Sequence, residues 1–272
     1  MMSEQMSVGT NRVMMCAPTS YRLEYEINPW MRLENRPDTG LAAKQWDLLY
    51  EVLKTRAGAE IELIPQVEGC PDMVFTANAG LVKGDIALLA SFRHPQRALE
   101  EPHFDRWFKE HGYTVHTPPQ GCKFEGEGDA LFAGSNLVAG YLKRSDICSH
   151  RWMADMLSTT VLSLELVDDR WYHLDTCLLP LSRNRVAFYP GAFDEYAQTV
   201  IRHHYETIDV ELEEALRFAC NAVVVGDTVV LPSGCPKLEA DLQECGYSTI
   251  NVEMSEFLKS GGASKCLTLL LN

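Results

Sequence analysis

Met73-Val74-Phe75-Thr76-Ala77-Asn78-Ala79-Gly80-Leu81-Val82, then Lys83-Gly84-Asp85, then Ile86 to Phe92, is the stretch on which the fold turns. Two apolar runs of strand length flank a glycine-containing turn, the pattern of a β-hairpin. Ahead of it, Glu60-Ile61-Glu62-Leu63-Ile64 alternates at period two and reads as a half-buried strand. An amphipathic helix from about Leu41 to Arg56 comes before that, with Leu41, Trp46, Leu49 and Leu53 spaced for one buried face. A short strand, Val13 to Pro18, precedes the helix.

The same order returns down the chain. A helix from about Leu99 to His111 leads to Thr114-Val115-His116 and the pair Asp129–Phe132 with Asn136–Tyr141. A helix from His150 to Leu157 leads to Val161–Leu166, then His173–Leu181 with Arg185–Tyr189. Glu195–Glu206 is helical and leads into Leu216–Val225 with Thr228–Leu231; Lys237–Cys245 leads to Thr249–Val252 and Cys266–Leu271. Comparable points of the five hairpins are Asp72, Asp129, Asp175, Asn221 and Cys266, about 45 to 57 residues apart, a repeat-scale spacing. Such ββαβ units repeat around an axis or stack along one, and a single Rossmann sheet would lack the hairpins. Closed radial repetition accounts for polar residues at matching points, because these then converge on a central channel.

Composition narrows the function. Of 272 residues, 24 are basic and 38 acidic, a net charge of −14, which argues against nucleic acid or an anionic membrane as partner and suits a cationic small molecule. The nine cysteines, Cys16, Cys70, Cys122, Cys148, Cys177, Cys220, Cys235, Cys245 and Cys266, are scattered with no CxxC pair. That pattern predicts neither a disulfide framework nor a zinc knuckle, and it suits a reducing cytoplasm. Met1 to Arg12 is polar and short, without the apolar core of a signal peptide, and no apolar run approaches membrane-span length. The expectation is one cytoplasmic domain over residues 1–272 with no metal or other cofactor; the sequence says nothing of oligomeric state.

Four segments carry candidate chemistry. Ser260-Gly261-Gly262-Ala263-Ser264-Lys265-Cys266 sets a thiol after small residues, where backbone amides can approach a ligand. A thiol needs a neighbouring cation to become the nucleophilic thiolate, and a guanidinium substrate supplies one. In Trp171-Tyr172-His173-Leu174-Asp175-Thr176, a strand would project His173 and Asp175 to one face, one to move protons and one to accept N–H bonds. Phe124-Glu125-Gly126-Glu127-Gly128-Asp129 gathers carboxylates that suit a planar cation, and it lacks calcium-loop spacing. Asp72, Val74, Thr76 and Asn78 alternate along the opening stretch, and the Asn78 amide can donate and accept at once. Each has a plainer reading as a core cysteine, a packed histidine or a solvated turn. The adjacent His203 and His204 read as solvated.

PDMVFTANAG, FEGEGD, HLDT and SGGASKC occur in this order over nearly the whole chain, and together they resemble the guanidino-group-modifying enzymes. That superfamily takes in arginine deiminases, dimethylarginine dimethylaminohydrolases, amidinotransferases and cyanobacterial-type arginine dihydrolases. The resemblance implies an α/β fold of the five-bladed propeller (pentein) type, in agreement with the repeat. It implies Cys266 as nucleophile, His173 as general acid/base, and Asp129 and Asp175 as guanidinium ligands with Glu125 close by. Ile27-Asn28-Pro29-Trp30-Met31 resembles the substrate-capping segment, which makes Asn28 a ligand. Arg97 falls where relatives hold the substrate α-carboxylate, with Arg93 as a competitor. Asn78 stands where deiminases and dimethylaminohydrolases usually carry aspartate, a departure that points to the dihydrolase subgroup and to a catalytic part for Asn78. The implied reaction converts arginine to ornithine, carbon dioxide and two ammonia. The rivals are a deiminase or dimethylaminohydrolase that stops at citrulline, an amidinotransferase, and a non-catalytic binder such as the ribosome anti-association factors.

Overall fold

Four of the five hairpins are present in the computed structural model, which describes residues 11–271 apart from residue 183, and in the fifth unit the strand after Cys266 pairs instead with the strand at Val13 and Met14. The polar reading of Met1 to Arg12 falls, for its first ten residues, outside the described residues. The strands are β1 (Arg12–Met15), β2 (Glu60–Leu63), β3 (Gly80–Lys83), β4 (Ile86–Leu89), β5 (Thr114–His116), β6 (Ala130–Ala133), β7 (Asn136–Tyr141) and β8 (Thr160–Glu165). They continue as β9 (Leu178–Ser182), β10 (Arg185–Phe188), β11 (Glu206–Asp209), β12 (Val223–Val225), β13 (Thr228–Pro232), β14 (Ser248–Val252) and β15 (Leu269–Leu270).

They form five sheets of three: β15-β1-β2, β3-β4-β5, β6-β7-β8, β9-β10-β11 and β12-β13-β14. In each sheet the first two strands are antiparallel and the third runs parallel to the second. A parallel partner requires a crossover, and helices Thr39–Glu51, Glu101–Glu110, Cys148–Leu157, Glu195–His204 and Pro236–Glu244 supply one to each unit. Two of these helices start where the chain offers an N-cap: the Asp38 side chain accepts from Leu41 N at 2.9 Å, and Asp194 accepts from Ala197 N at 2.8 Å. The helix expected to run from Leu41 to Arg56 starts at Thr39 and widens into a π-type turn, Val52–Arg56. Its buried stripe is Ala42, Trp46, Leu49 and Leu53, and Leu41 faces solvent.

The hydrophobic clusters join neighbouring sheets. Met14 and Leu269 pack with Val82 and Ala87, and Leu81 and Leu88 pack with Ala130 and Leu137. Val138, Leu179, Val186 and Val229 share one cluster, and Val223 and Val230 pack with Val13 and Met15.

The main departure from the sequence reading lies at the entry to the inner strands. Strand does not extend back through Met73, Asp129, His173, Leu216 or Cys266. Instead the chain makes 3-10 turns at Pro71–Val74, Thr76–Ala79, Gly126–Gly128 and Leu174–Thr176, a short helix at Leu212–Ala215, and turns before β15. The tight turns satisfy their own backbone, as in Phe75 N to Asp72 O at 2.9 Å and Asp129 N to Gly126 O at 3.0 Å. Their polar side chains are thereby freed to be buried together. Glycine is required at two of these points. Gly126 sits at φ +65°, and a Cβ there would lie 2.6 Å from Ala77 O; a Cβ on Gly128 would lie 2.2 Å from Asn78 Nδ2.

The expectation of no disulfide is corrected at one place: Cys122 and Cys148 are bonded, with Cα atoms 6.2 Å apart. The loops leading to Glu125 and out of Ser145 run side by side, so cysteines 26 residues apart in sequence meet. Cys16, Cys70, Cys177, Cys220, Cys235, Cys245 and Cys266 are free. Among the described residues no helix is long and apolar enough to cross a membrane, and no group of three or more His, Cys, Asp or Glu is set to hold a metal ion.

Candidate active site

Two cavities lie among the inner strands. The larger, of 690 Å³, is lined by β3, β6, β9, β12 and β15 residues such as Leu131, Leu179, Val223 and Leu270, together with the ion pair Lys265–Glu127 at 2.8 Å. It holds no catalytic constellation. The smaller, of about 10 Å³, is lined by Asp72, Asn78, Arg97, Arg144, Tyr172 and Cys266 under Ile27, Asn28 and Met31. Size is the wrong guide here, because the Cys266 thiol, the Asn78 amide, Asp72 and two arginines line the smaller one.

Cys266 is 2% exposed, three residues ahead of β15. Its Sγ donates to Asp175 Oδ2 at 3.2 Å and accepts from Asn221 Nδ2 at 3.1 Å. Burial pushes the thiol well above its ordinary pKa and the Asp175 carboxylate adds to that, with Asn221 and Lys265 opposing. Asp175 Oδ1 is buried with no hydrogen-bond partner. Burial also pushes the Asp175 carboxyl up to about 6.

His173 and Asp175 are not neighbours on a strand face. His173 is extended and precedes the turn that carries Asp175. Its Nε2 lies 2.7 Å from Glu125 Oε2, whereas Asp175 reaches Cys266. Glu125 is fully buried and fully engaged: Oε2 also accepts from Arg144 Nη1 at 3.1 Å, and Oε1 accepts from Arg93 N at 3.0 Å. Burial alone would raise its carboxyl, but Arg144 and His173 overcome that and hold it far below the usual range. Glu125, which the resemblance sets close to the guanidinium, is thus held by His173, Arg144 and the Arg93 amide. Asp129, which the resemblance makes a guanidinium ligand, is engaged on both oxygens. Its Oδ2 accepts from Ser145 Oγ at 2.6 Å and its Oδ1 from Leu174 N at 3.1 Å, so it braces the turn beneath the site.

Arg97 is buried, but its fork is occupied by Glu100, Nε to Oε1 at 3.0 Å and Nη2 to Oε2 at 2.8 Å. Nη2 also donates to Asp72 O at 3.1 Å, and Nη1 to Asn78 Oδ1 at 2.6 Å. One N–H remains for a ligand while these bonds hold. Arg93 turns away to pair with Asp146 and donates to Arg144 O at 3.0 Å. Arg144, which the sequence reading passed over, lines the cavity and is buried beside the Tyr172 ring, 4.7 Å to centroid. It lies three residues past β7, the second strand of its hairpin, and no spacing in the sequence singles it out.

Asn78 lines the cavity with its amide half used: Nδ2 donates to Glu125 O at 3.0 Å and Oδ1 accepts from Arg97. One donor and one acceptor site remain. Asn28 sits in the capping segment, donating to Ser260 O at 3.0 Å and accepting from Trp30 N at 2.9 Å. Asp72 faces the same cavity and accepts from Tyr25 OH at 3.0 Å. His203 and His204 are exposed, as expected.

The family described as N,N dimethylarginine dimethylhydrolase, eukaryotic, matches residues 26–271. The bifunctional arginine dihydrolase/ornithine cyclodeaminase ArgZ of Synechocystis is 45% identical over 95% of this chain, which spans 37% of that protein's length. The dimethylarginine dimethylaminohydrolase of Mycobacterium tuberculosis is 40% identical over 96% of this chain and 85% of its own. A crystal structure of the ArgZ N-terminal domain, an asparagine-to-serine variant covalently bound to a reaction intermediate, matches with TM-score 0.93 and 44% identity. That match covers 96% of this chain and 98% of the domain.

Proposed function

This chain belongs to the dimethylarginine dimethylhydrolase family, and on that premise we propose that it hydrolyses arginine to ornithine, carbon dioxide and two ammonia through a covalent thiol intermediate. One observation carries the reading: Asp175 presents a buried, unpartnered carboxylate oxygen beside the Cys266 sulfur. A buried anion in that position calls for a cationic ligand with N–H donors, and guanidinium provides both. Once bound, the cation offsets the Asp175 charge that otherwise opposes thiolate formation. Asp72, facing Arg97 and Arg144 in the same cavity, suits the ammonium and carboxylate of an amino acid.

The sulfur of Cys266 adds to the guanidinium carbon, and His173, steadied by Glu125, protonates the departing ammonia. The S-linked amidino group then takes water activated by His173, giving citrulline. A second round on the ureido group adds another water and releases ornithine, carbon dioxide and the second ammonia. Citrulline has lost the positive charge, and the free donor and acceptor of Asn78 suit a neutral ureido group where a carboxylate would not. Asn28 and its neighbours close over the site, and a cavity of about 10 Å³ requires them to open for substrate entry.

The same reading takes the five sheets as a closed five-bladed α/β propeller in one domain, supported by the cluster that joins the fifth sheet to the first. It takes the enzyme as cytosolic, supported by seven free cysteines, with the Cys122–Cys148 bond as the contrary feature. The second reading, hydrolysis of dimethylarginine, is favoured by the family match and the mycobacterial relative. Product analysis separates them. With L-arginine, ornithine should accumulate with about two ammonia each and citrulline only transiently, and Asn78→Asp should make citrulline accumulate. Citrulline as the stable wild-type product overturns the dihydrolase reading. Dimethylamine release from dimethylarginine with no turnover of arginine establishes the second.

A further inference from the structure

We infer that Asn221 is a positioning residue that both seats the nucleophile loop and stabilises Cys266 as its thiolate, an inference that rests on Cys266 being the nucleophile. The Asn221 side chain is fully buried two residues ahead of β12 and uses its whole hydrogen-bonding capacity. Oδ1 accepts from Ala263 N at 2.9 Å and Cys266 N at 3.1 Å. Nδ2 donates to Asp175 O at 3.0 Å and to Cys266 Sγ at 3.1 Å. That network fixes the amide orientation, because the flipped form would set N–H against two backbone N–H donors and oxygen against oxygen. One side chain therefore ties the fourth unit's turn, the fifth unit's entry and the nucleophile loop to one another.

The surroundings leave the sulfur few other donors. Asp175 faces it as a carboxylate and favours the neutral thiol. Lys265 is spent on Glu127 at 2.8 Å and Thr268 O at 3.1 Å, and Tyr172 OH on Gly261 O at 2.6 Å. Across the cavity, Arg97 is held by Glu100 and Asn78, Arg144 by Glu125 and Ile27 O, and His173 Nε2 by Glu125. When the thiol gives its proton to the buffer, the Asn221 N–H is the neutral donor already in contact with the anion. A hydrogen bond to the charged form favours that form.

The test reads the thiol rather than arginine turnover, so it stands apart from the choice of substrate. The Cys266 titration is followed by thiolate absorbance, as a difference from Cys266→Ser, and by the rate of Cys266 alkylation with iodoacetamide. Asn221→Asp keeps the acceptor for both backbone amides but sets oxygen against sulfur; Asn221→Ser shortens the contact. Both should raise the thiol pKa by about one unit or more and slow alkylation at neutral pH by about tenfold. An Asn221→Asp protein that melts like wild type and shows an unshifted thiol titration overturns the inference. Should neither variant fold, wild-type protein labelled at asparagine nitrogen gives the answer. The Asn221 side-chain amide resonances should move with pH in step with alkylation of Cys266, and resonances that stay fixed overturn the inference. Arginine turnover surviving Cys266→Ser would sink the covalent scheme, whereas an unshifted titration sinks only the part given to Asn221.

Discussion

Gly126–Gly128 and Leu174–Thr176 are both single 3-10 turns that deliver the chain to an inner strand and bury an aspartate as they do so. Burial raises the carboxyl of Asp129 and that of Asp175 to about 6. Asp129 has a partner for each oxygen, Ser145 and the Leu174 amide, whereas Asp175 has the Cys266 thiol on one oxygen and nothing on the other. Two residues that look alike in sequence, and in burial, thus separate by hydrogen-bond completeness. A completed carboxylate belongs to the scaffold; an incomplete one is waiting for a ligand's donors.

Three substitutions sharpen or break that contrast. Glu125→Gln should cost most, about 10³-fold or more in kcat, because a neutral amide no longer stabilises the imidazolium or fixes its tautomer. A loss below tenfold would mean that His173 needs no orienting carboxylate. Asp175→Asn should lower kcat/KM for arginine by about 10²-fold, through loss of the charge facing the guanidinium. Unchanged kcat/KM would remove Asp175 from substrate binding.

Asp129→Asn should change activity by less than about threefold and show itself in stability instead. The folded carboxyl binds its proton more tightly than an unfolded aspartate of pKa about 3.9. Wild-type stability therefore falls as pH rises from about 4 through 6. An asparagine has no such dependence, so the variant should gain on wild type above pH 6 by on the order of 2 kcal/mol, with no gain below about pH 4. Denaturant melts across that range test this, and a pH-independent difference would contradict it.

Much of this was legible in the sequence, and for identifiable reasons. The repeat spacing was visible because three of the hairpins carry a glycine turn, at Gly84, Gly134 and Gly226, between apolar runs. Cys266, His173, Asp175 and Asn78 stood out because the residues next to them are small or set at telling intervals. The entry turns were hidden, since Met73 to Ala79 is apolar enough to pass for strand; buried polar side chains, rather than local propensity, bend it. The partners of Glu125 and Asp129 were hidden, because Arg144, Arg93 and Ser145 lie on other loops. Arg144 itself was masked by an ordinary polar run, Lys143-Arg144-Ser145-Asp146.

The pairing of β15 with β1 has a bearing on the order in which the fold closes. Val13 opposes Leu270 and Met14 opposes Leu269, contacts that span nearly the whole described sequence. Closing so long a stretch of chain is slow compared with forming any single hairpin. The thiol lies three residues ahead of β15, so it reaches its place only when that pairing forms. The other four sheets are built from residues 80–252 and can form without it. On the covalent reading proposed above, the seam between β1 and β15, once joined, is what arms the thiol.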